Sequence, residues 1–205
     1  MTLFKSTTFG KISGKHGTAV AALRKDGKNI LKVFRKASNP DTLGQKNQRG
    51  KFAFVMKELN CLRSVLTLTF GSQYGLNKVV SASLKTAVVG EFPDFKLDYA
   101  KLILSNGTLN NTSHVSIHRI TASTVSVKWG TEIFSNSSPV DHVNLVFLNQ
   151  TLKSVLFKQQ HALRNAGIVN VELPLIWIDN EIHAWIYFTS SNESLLSTSQ
   201  FICTF

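Results

Sequence analysis

Cysteine, acidic residues and long apolar runs are all scarce in this chain of 205 residues. Two cysteines, Cys61 and Cys203, are too few for a disulfide framework or for a zinc site built from thiolates. No stretch approaches the roughly 20 apolar residues of a membrane helix, and the first residues lack the uninterrupted apolar core of a secretory signal. These absences predict a protein that is cytoplasmic as synthesised, or incorporated in a virion or other particle, with no membrane partner.

Acidic residues are scarcest over residues 1–51. This stretch holds 12 of the 23 Lys and Arg residues but only two of the 12 acids, so its formal charge is +10, whereas the other 154 residues carry +1. A charge confined to one quarter of the chain favours contact with an anionic partner, such as DNA or RNA. The candidate contact residues are Lys5, Lys11, Lys15, Arg24, Lys25, Lys28, Lys32, Arg35, Lys36, Lys46, Arg49 and Lys51.

A basic hairpin is predicted within this stretch. Two β-like runs, 18–25 and 29–36, flank Asp26 and Gly27. Asp-Gly is a strong hairpin signal because both residues tolerate positive φ. Cations lie on both runs, and the second run also has apolar residues on both faces. Such a ribbon cannot bury its apolar side chains alone, so we expect it to dock on the body or on a neighbouring copy.

Helical periodicity follows between residues 41 and 66. Apolar residues recur there at spacings of three and four, which predicts one helix with a continuous apolar stripe. The stripe consists of Phe52, Val55, Leu59, Leu62 and Leu66. We expect a linker over 67–74 and a second helix over 76–89, since Gly90 and Pro93 are typical of a helix end.

Short β-like segments fill the chain after Pro93, and their spacing of about 8–12 residues is typical of an antiparallel β-sandwich. The predicted class is therefore α+β, mainly β, with an immunoglobulin- or fibronectin-III-like sandwich at the C-terminal end. The predicted domains are 1–92, with the basic hairpin and two helices, and 93–205. The predicted strands cover 96–105, 114–121, 124–129, 142–148, 154–160, 168–173, 181–189 and 199–204.

The glycine-rich loop over residues 10–17 invites comparison with a phosphate-binding loop but fails its spacing. With Gly14 and Lys15 at the end of G-x-x-x-x-G-K-[ST], the first glycine should be residue 9, which is Phe9, and His16 occupies the Ser/Thr position. We therefore expect no nucleotide hydrolysis. Two alternatives remain for the loop: amides that approach phosphates without catalysis, or a flexible segment that fits a tight packing site.

Catalytic and metal-binding patterns are equally sparse. His114 and His118 are four residues apart in a β-like segment, which places them about 13 Å apart along a strand, too far for one metal. No Gly-x-Ser-x-Gly elbow occurs, and no pair of carboxylates is placed for glycoside hydrolysis. We expect no cofactor, no metal and no enzymatic activity.

Two motifs together resemble a known family. Residues 10–17 read Gly-x-Ile-Ser-Gly-Lys-x-Gly, and residues 83–105 read Ser-Leu-Lys-Thr-Ala-Val-Val-Gly-Glu-Phe-Pro-Asp-Phe-Lys-Leu-Asp-Tyr-Ala-Lys-Leu-Ile-Leu-Ser. Over essentially its whole length, the chain is similar to a domain-of-unknown-function family common in Bacteroidota genomes. His16 stands where that family usually carries a hydrophobic residue. The resemblance implies no activity and no site residues, because none is assigned to the family.

Three interpretations of the basic end remain open. It neutralises the phosphates of a nucleic acid without reading sequence, it is an arm that packs on a neighbour in a multi-copy particle, or it is solvated surface. The charge asymmetry favours the first two. The preferred hypothesis is a non-enzymatic structural or assembly protein of phage origin that self-associates or joins a particle through this arm. Sequence-nonspecific nucleic-acid binding is the alternative.

Overall fold

Antiparallel sheets and three α-helices form the described part of the computed structural model, which covers residues 2–5, 10–36, 41–71 and 73–205. This composition confirms the predicted mainly β class. The chain divides into two compact units, Met1–Thr42 and Leu43–Phe205. The predicted boundary at 92/93 differs from this division, because the helices after residue 42 share an apolar core with the strands that follow them.

The first unit contains one four-stranded antiparallel sheet with the order β1-β4-β3-β2. Its strands are β1, Thr2–Phe4; β2, Gly14–His16; β3, Ala19–Leu23; and β4, Asn29–Val33. Between β3 and β4 the backbone N–H of Arg24 donates to the carbonyl of Lys28 at 2.9 Å, and Gly27 adopts φ +77°. The Asp-Gly pair therefore lies in the connection between two antiparallel strands, where a positive φ suits glycine.

A buried asparagine holds the glycine-rich loop against this sheet. The side-chain amide of Asn29 donates to the carbonyl of Gly10 at 2.9 Å, and its oxygen accepts from the N–H of Ile12 at 3.2 Å. Asn29 is 2% exposed. The loop thus has a packing role on β4, which agrees with the structural alternative for its glycines.

Three helices open the second unit: α1, Leu43–Leu59; α2, Arg63–Phe70; and α3, Gln73–Thr86. The predicted single helix through Leu66 is wrong, since α1 ends at Leu59 and a tight turn precedes α2. In that turn the N–H of Leu62 donates to the carbonyl of Leu59 at 3.1 Å. The predicted linker over 67–70 is helical instead. Leu62 stays fully buried in the turn between the two helices. The apolar stripe therefore continues across the turn, and the periodicity of the sequence does not reveal the end of α1.

Nine strands follow, in three antiparallel sheets with the orders β5-β6, β11-β8-β7 and β10-β9-β12-β13. Their bounds are β5, Val88–Val89; β6, Lys96–Leu97; β7, Val115–Arg119; β8, Thr124–Trp129; β9, His142–Asn149; β10, Ser154–Leu163; β11, Ile168–Glu172; β12, Ile182–Thr189; and β13, Gln200–Thr204. The strand predicted over 96–105 is wrong beyond Leu97. Asp98 accepts from the N–H of Ala100 at 3.1 Å and caps a 3-10 turn, Tyr99–Lys101.

The sheet β10-β9-β12-β13 is covered on both faces. On one face Trp185 and Tyr187 share a core with apolar residues of α1, α2 and α3. On the other face Phe147 and Ile186 share a second core with Val127 and other residues of the three-stranded sheet. All eight residues of β12 are buried, which explains why its sequence is apolar at consecutive positions.

A buried ion pair joins the start of β9 to the end of β10. The Nε of Arg164 lies 3.2 Å from Oδ2 of Asp141, with side-chain exposures of 0% and 2%. Its Nη2 donates to the carbonyl of Asn110 at 2.6 Å, and its guanidinium stacks 3.9 Å from the centre of the Phe188 ring. Burial lowers the pKa of Arg164, and the adjacent Asp141 opposes that shift. The pair therefore supplies a counter-ion to a cation that is fully buried at this end of the sheet.

Replacing Asp141 by Asn should lower the free energy of unfolding by about 3–5 kcal/mol, because Arg164 would remain buried without a counter-ion. Urea denaturation followed by tryptophan fluorescence measures this change. Asp26→Asn is the control, since Asp26 and Arg24 form an exposed pair at 3.6 Å. Its expected effect is below about 1 kcal/mol. Equal losses in the two variants would contradict the assigned role of the buried pair.

Candidate functional site

The sheet of the first unit presents a row of alternating basic and apolar side chains. Val20 on β3 pairs with Lys15 on β2 and with Lys32 on β4, so the three side chains point to the same face. Lys15 and Lys32 are both exposed. The ammonium of Lys15 lies 4.2 Å from the centre of the Phe34 ring, a cation–π contact that orients it over the sheet.

Large apolar side chains of the same unit remain in contact with solvent. Val33 on β4 is 74% exposed, and Leu3, Leu23 and Phe34 are each at least 40% exposed. Ala21 is the buried hydrophobic residue of this unit among the side chains whose burial is described, those of residues 3, 5, 10–36 and 41–42. The sheet is therefore a thin layer whose own side chains cover little of its apolar surface.

The twelve predicted contact residues fall in both units. Nine lie in Met1–Thr42, and all nine are exposed. Lys46 and Arg49, both exposed, and the half-buried Lys51 lie on α1 of the second unit. The structure brings Lys15 and Lys32 onto one face of the sheet, and it places Arg24, Lys25 and Lys28 at the β3–β4 connection.

A groove in the second unit was not predicted from the sequence. It has a volume of about 660 Å³ and is lined by residues of α1, the 3-10 turn, the β9–β10 turn, β12 and β13. We call it the His183 groove after the buried histidine in its wall. Phe54, Phe95 and Phe201 supply apolar surface, while Lys96 and Glu181 supply charge.

A carboxylate links three parts of this groove. Oε2 of Glu58 on α1 accepts a hydrogen bond of 2.8 Å from the hydroxyl of Tyr99 and a charged one of 2.5 Å from Nζ of Lys153. Burial and the bond to Glu58 raise the pKa of Tyr99, so its hydroxyl stays protonated and donates. The helix is thereby fixed to the 3-10 turn and to the β9–β10 turn.

His183 on β12 is held on three sides. Its ring stacks on Tyr99 with 4.0 Å between ring centres, Nε2 lies 2.9 Å from Oε1 of Gln150, and Nδ1 lies 2.8 Å from Oγ1 of Thr204. An amide oxygen only accepts, so Nε2 carries the proton and Nδ1 accepts from the Thr204 hydroxyl. Burial lowers the pKa of His183, which favours this neutral form. Both ring nitrogens are therefore hydrogen-bonded within the chain.

No metal site is evident among the described residues, since no three His, Cys, Asp or Glu side chains come together there. Cys61 and Cys203 are half-buried free thiols, and burial raises the pKa of each. None of the helices formed by the described residues is long and apolar enough to cross a membrane. The groove offers aromatic surface and unpaired charges, which are features of a binding surface.

The groove escaped prediction because its members are far apart in sequence. Glu58, Tyr99 and His183 come from three different elements, and Lys153 comes from the β9–β10 turn. The one available signal was the alternation of His183, Trp185 and Tyr187 on one face of a predicted strand. That face packs against the helices, and only its first residue reaches the groove.

A family model of unknown function, DUF6266, matches residues 11–203. The chain belongs to this family. No curated protein matches it. Among solved structures it is similar to the solution structure of the fn3 domain of human contactin 1, at 10% sequence identity and a TM-score of 0.32, covering 48% of this chain and 81% of that one.

The protonation of His183 should make stability depend on pH. Histidine in the unfolded chain titrates near pH 6.5, whereas burial lowers the pKa of His183 in the folded state. Below about pH 6.5 the unfolded state therefore binds a proton that the native state resists, and stability falls as the pH decreases toward the folded pKa.

In His183→Gln we expect the free energy of unfolding to lose this contribution to its pH dependence. The contribution has a slope of at most about 1.4 kcal/mol per pH unit. Urea denaturation between pH 5 and pH 8 measures it, and exposed His118→Gln is the control that should keep the slope of the parent chain. An unchanged slope in His183→Gln would show that folding does not lower the pKa of His183.

Proposed function

We propose that this chain is a non-enzymatic structural protein that attaches to neighbouring copies, or to a partner in a multi-copy particle, through its N-terminal sheet. The observation that carries the proposal is the 74% exposure of Val33 on a single-layer sheet. A sheet buries one face against another layer in a stable domain. The N-terminal sheet leaves Val33 and Phe34 to solvent, so a partner surface is the expected cover.

The charge of the N-terminal unit supports attachment to a particle partner of opposite sign. Nine cations and two acids, Asp26 and Asp41, give residues 1–42 a formal charge of +7. Charge of one sign steers association with a partner of opposite sign and discourages non-specific stacking of identical sheets. We infer that this sheet, including the β3–β4 hairpin, is the cationic attachment arm.

We also infer that the larger sheets form a sandwich of the fibronectin-III kind. The support is the strand order β11-β8-β7 against β10-β9-β12-β13 and the apolar core that both sheets share. Sandwiches of this kind serve many unrelated functions, so the fold itself assigns none. In the proposed assembly, the sandwich with its layer of helices is the rigid body that the arm attaches.

The groove chemistry supports a role without catalysis. Both ring nitrogens of His183 are occupied, and the Glu58 oxygen that faces Tyr99 and Lys153 already accepts two hydrogen bonds. General acid–base catalysis needs a group free to exchange a proton with substrate. We propose that such an assembly protein is cytoplasmic or associated with a particle, and that it is of phage origin.

Val33→Asp should weaken self-association, because a carboxylate in place of this exposed apolar side chain would be desolvated on docking. Size-exclusion chromatography with light scattering, on nucleic-acid-free protein over a salt series, measures the mass. Ile120→Asp is the matched control: Ile120 is 56% exposed in the β7–β8 turn, and the substitution adds the same charge. A parent chain that is monomeric at every concentration, or equal masses for the two variants, would falsify the assembly role.

Sequence-nonspecific nucleic-acid binding is the second candidate, and the row formed by Lys15 and Lys32 favours it. Two exposed cations on one sheet face suit contact with successive phosphates, and neither base readout nor a reading helix is required. In this alternative the exposed Phe34 stacks on bases of a single strand.

For this alternative, Lys15→Glu with Lys32→Glu should reduce the slope of log affinity against log salt by about 1.8 on duplex DNA, or 0.9 for each lost phosphate contact. Fluorescence anisotropy with two unrelated duplexes, between 50 and 200 mM salt, measures the slope. The control is Lys85→Glu with Lys128→Glu, two exposed lysines of the second unit. Absence of binding by the parent chain, or the same loss in both double variants, would exclude specific use of this face.

A further inference from the structure

The second unit has another, smaller pocket beside α3. It has a volume of about 150 Å³ and lies between α3, the end of α2 and the segment that follows the 3-10 turn. We call it the Ser83 pocket after the buried serine in its wall. An apolar cavity of about 150 Å³ accommodates one benzene-sized molecule. The pocket therefore suits a small ligand rather than a polymer.

Helix α3 lines the Ser83 pocket with four residues that span an arc of its surface. In order around the helix, at about 100° per residue, they are Lys78, Ala82, Val79 and Ser83. Lys78 and Ser83 are thus at opposite ends of the arc, about 140° apart. Val79 and Ser83 are 3% and 2% exposed. Lys78 and Ala82 are exposed. The helix therefore presents an ammonium group at the open end of the pocket and a hydroxyl at its buried end.

The segment after the 3-10 turn forms another wall of the pocket. Leu102 and Leu104 are buried in the core that the helices share with the central sheet. The alternate residues Lys101 and Ile103 therefore point outward, and both line the pocket. The hydroxyl of Thr69 donates to the carbonyl of Leu104 at 2.6 Å, which fixes this wall to the end of α2.

Phe70, the last residue of α2, contributes an aromatic ring to the same pocket. It lies close to α3 because residue 75 is glycine. A Cβ added to Gly75 would collide with Cβ of Phe70. Phe70, Val79 and Ile103 together provide an apolar surface against which a hydrocarbon ring can pack.

The hydroxyl of Ser83 lacks the partner that other helical hydroxyls of this unit have. Thr69 and Thr86 each donate to the carbonyl four residues earlier, at 3.1 and 3.0 Å. Ser83 forms no hydrogen bond through its side chain within the part of the chain that the structure describes, although the residue is 2% exposed. Since buried polar groups are normally hydrogen-bonded, this hydroxyl is available to a polar group of a ligand.

The charges at the pocket favour an anionic ligand. Among the described residues its lining contains two lysines and no acid. Lys101 pairs with Asp98 at 3.0 Å, whereas Lys78 forms no ion pair with a described residue. One unpaired cation matches the single charge of a carboxylate better than a phosphate, which carries about −1.5 to −2 near pH 7.

We propose that the Ser83 pocket binds a small aromatic carboxylate with a hydroxyl group on the far side of its ring. The carboxylate pairs with Lys78 at the open end, and the ring packs on the apolar side chains. The ligand hydroxyl exchanges a hydrogen bond with Ser83 at the buried end. This binding site is in the second unit and does not depend on the attachment role of the N-terminal sheet.

The test is an NMR chemical-shift titration of the full chain with 4-hydroxybenzoate, for which we expect a dissociation constant of about 1 mM. Benzoate lacks the hydroxyl and should bind about two- to tenfold more weakly. Ala82→Phe fills the pocket from an exposed position and should abolish saturable binding. Absence of saturable shifts at about 10 mM 4-hydroxybenzoate, or parent-like binding by Ala82→Phe, would overturn the proposal.

Two further variants test the two polar contacts separately. Ser83→Ala removes only a hydroxyl, so it should bind 4-hydroxybenzoate and benzoate equally. Lys78→Gln should raise the dissociation constant of 4-hydroxybenzoate about two- to fivefold and leave phenol, which has no carboxylate, unaffected. Lys85→Gln is the matched control, since Lys85 is exposed on the same helix but does not line the pocket. A Ser83→Ala variant that still prefers 4-hydroxybenzoate, or equal losses in the two lysine variants, would contradict the assigned contacts.

Discussion

The body of this protein depends on one sheet that is apolar on both faces. Trp185 and Tyr187 of β12 face the helices, and Ile186 and Phe188 face the three-stranded sheet. A sheet of this composition must be covered twice to be stable in water. The helices α1, α2 and α3 and the three-stranded sheet are those two covers, which is why they fold as one unit with it.

The N-terminal sheet is built on a different principle. It has few buried apolar side chains, a high positive charge and a loop that is held by Asn29. Its stability cannot come from a core of the size found in the body. The chain thus combines a well-packed body with a thin, charged sheet, and the association proposed above would bury the apolar residues of that sheet.

The sequence predicted most of the β-strands because their signal is local. The bounds of β8 agree with prediction at both ends, since alternation of Val125, Val127 and Trp129 directly reports a sheet with one face inward. The break between α1 and α2 was missed, because Leu62 stays buried through it. The His183 groove was missed because only tertiary structure brings Glu58 close to Lys153, which is 95 residues away in sequence.

The position of the buried pair has a consequence for the order of folding. Asp141 and Arg164 are 23 residues apart and close the open end of the β9–β10 hairpin. Contacts between residues so near in sequence cost little loop-closure entropy. The strand β12 pairs with β9, which is more distant in sequence, and β13 pairs in turn with β12. The hairpin is therefore the part of the central sheet with the lowest entropic barrier to formation. Its arginine can acquire a counter-ion while water still surrounds it, before the remaining strands and helices enclose the pair.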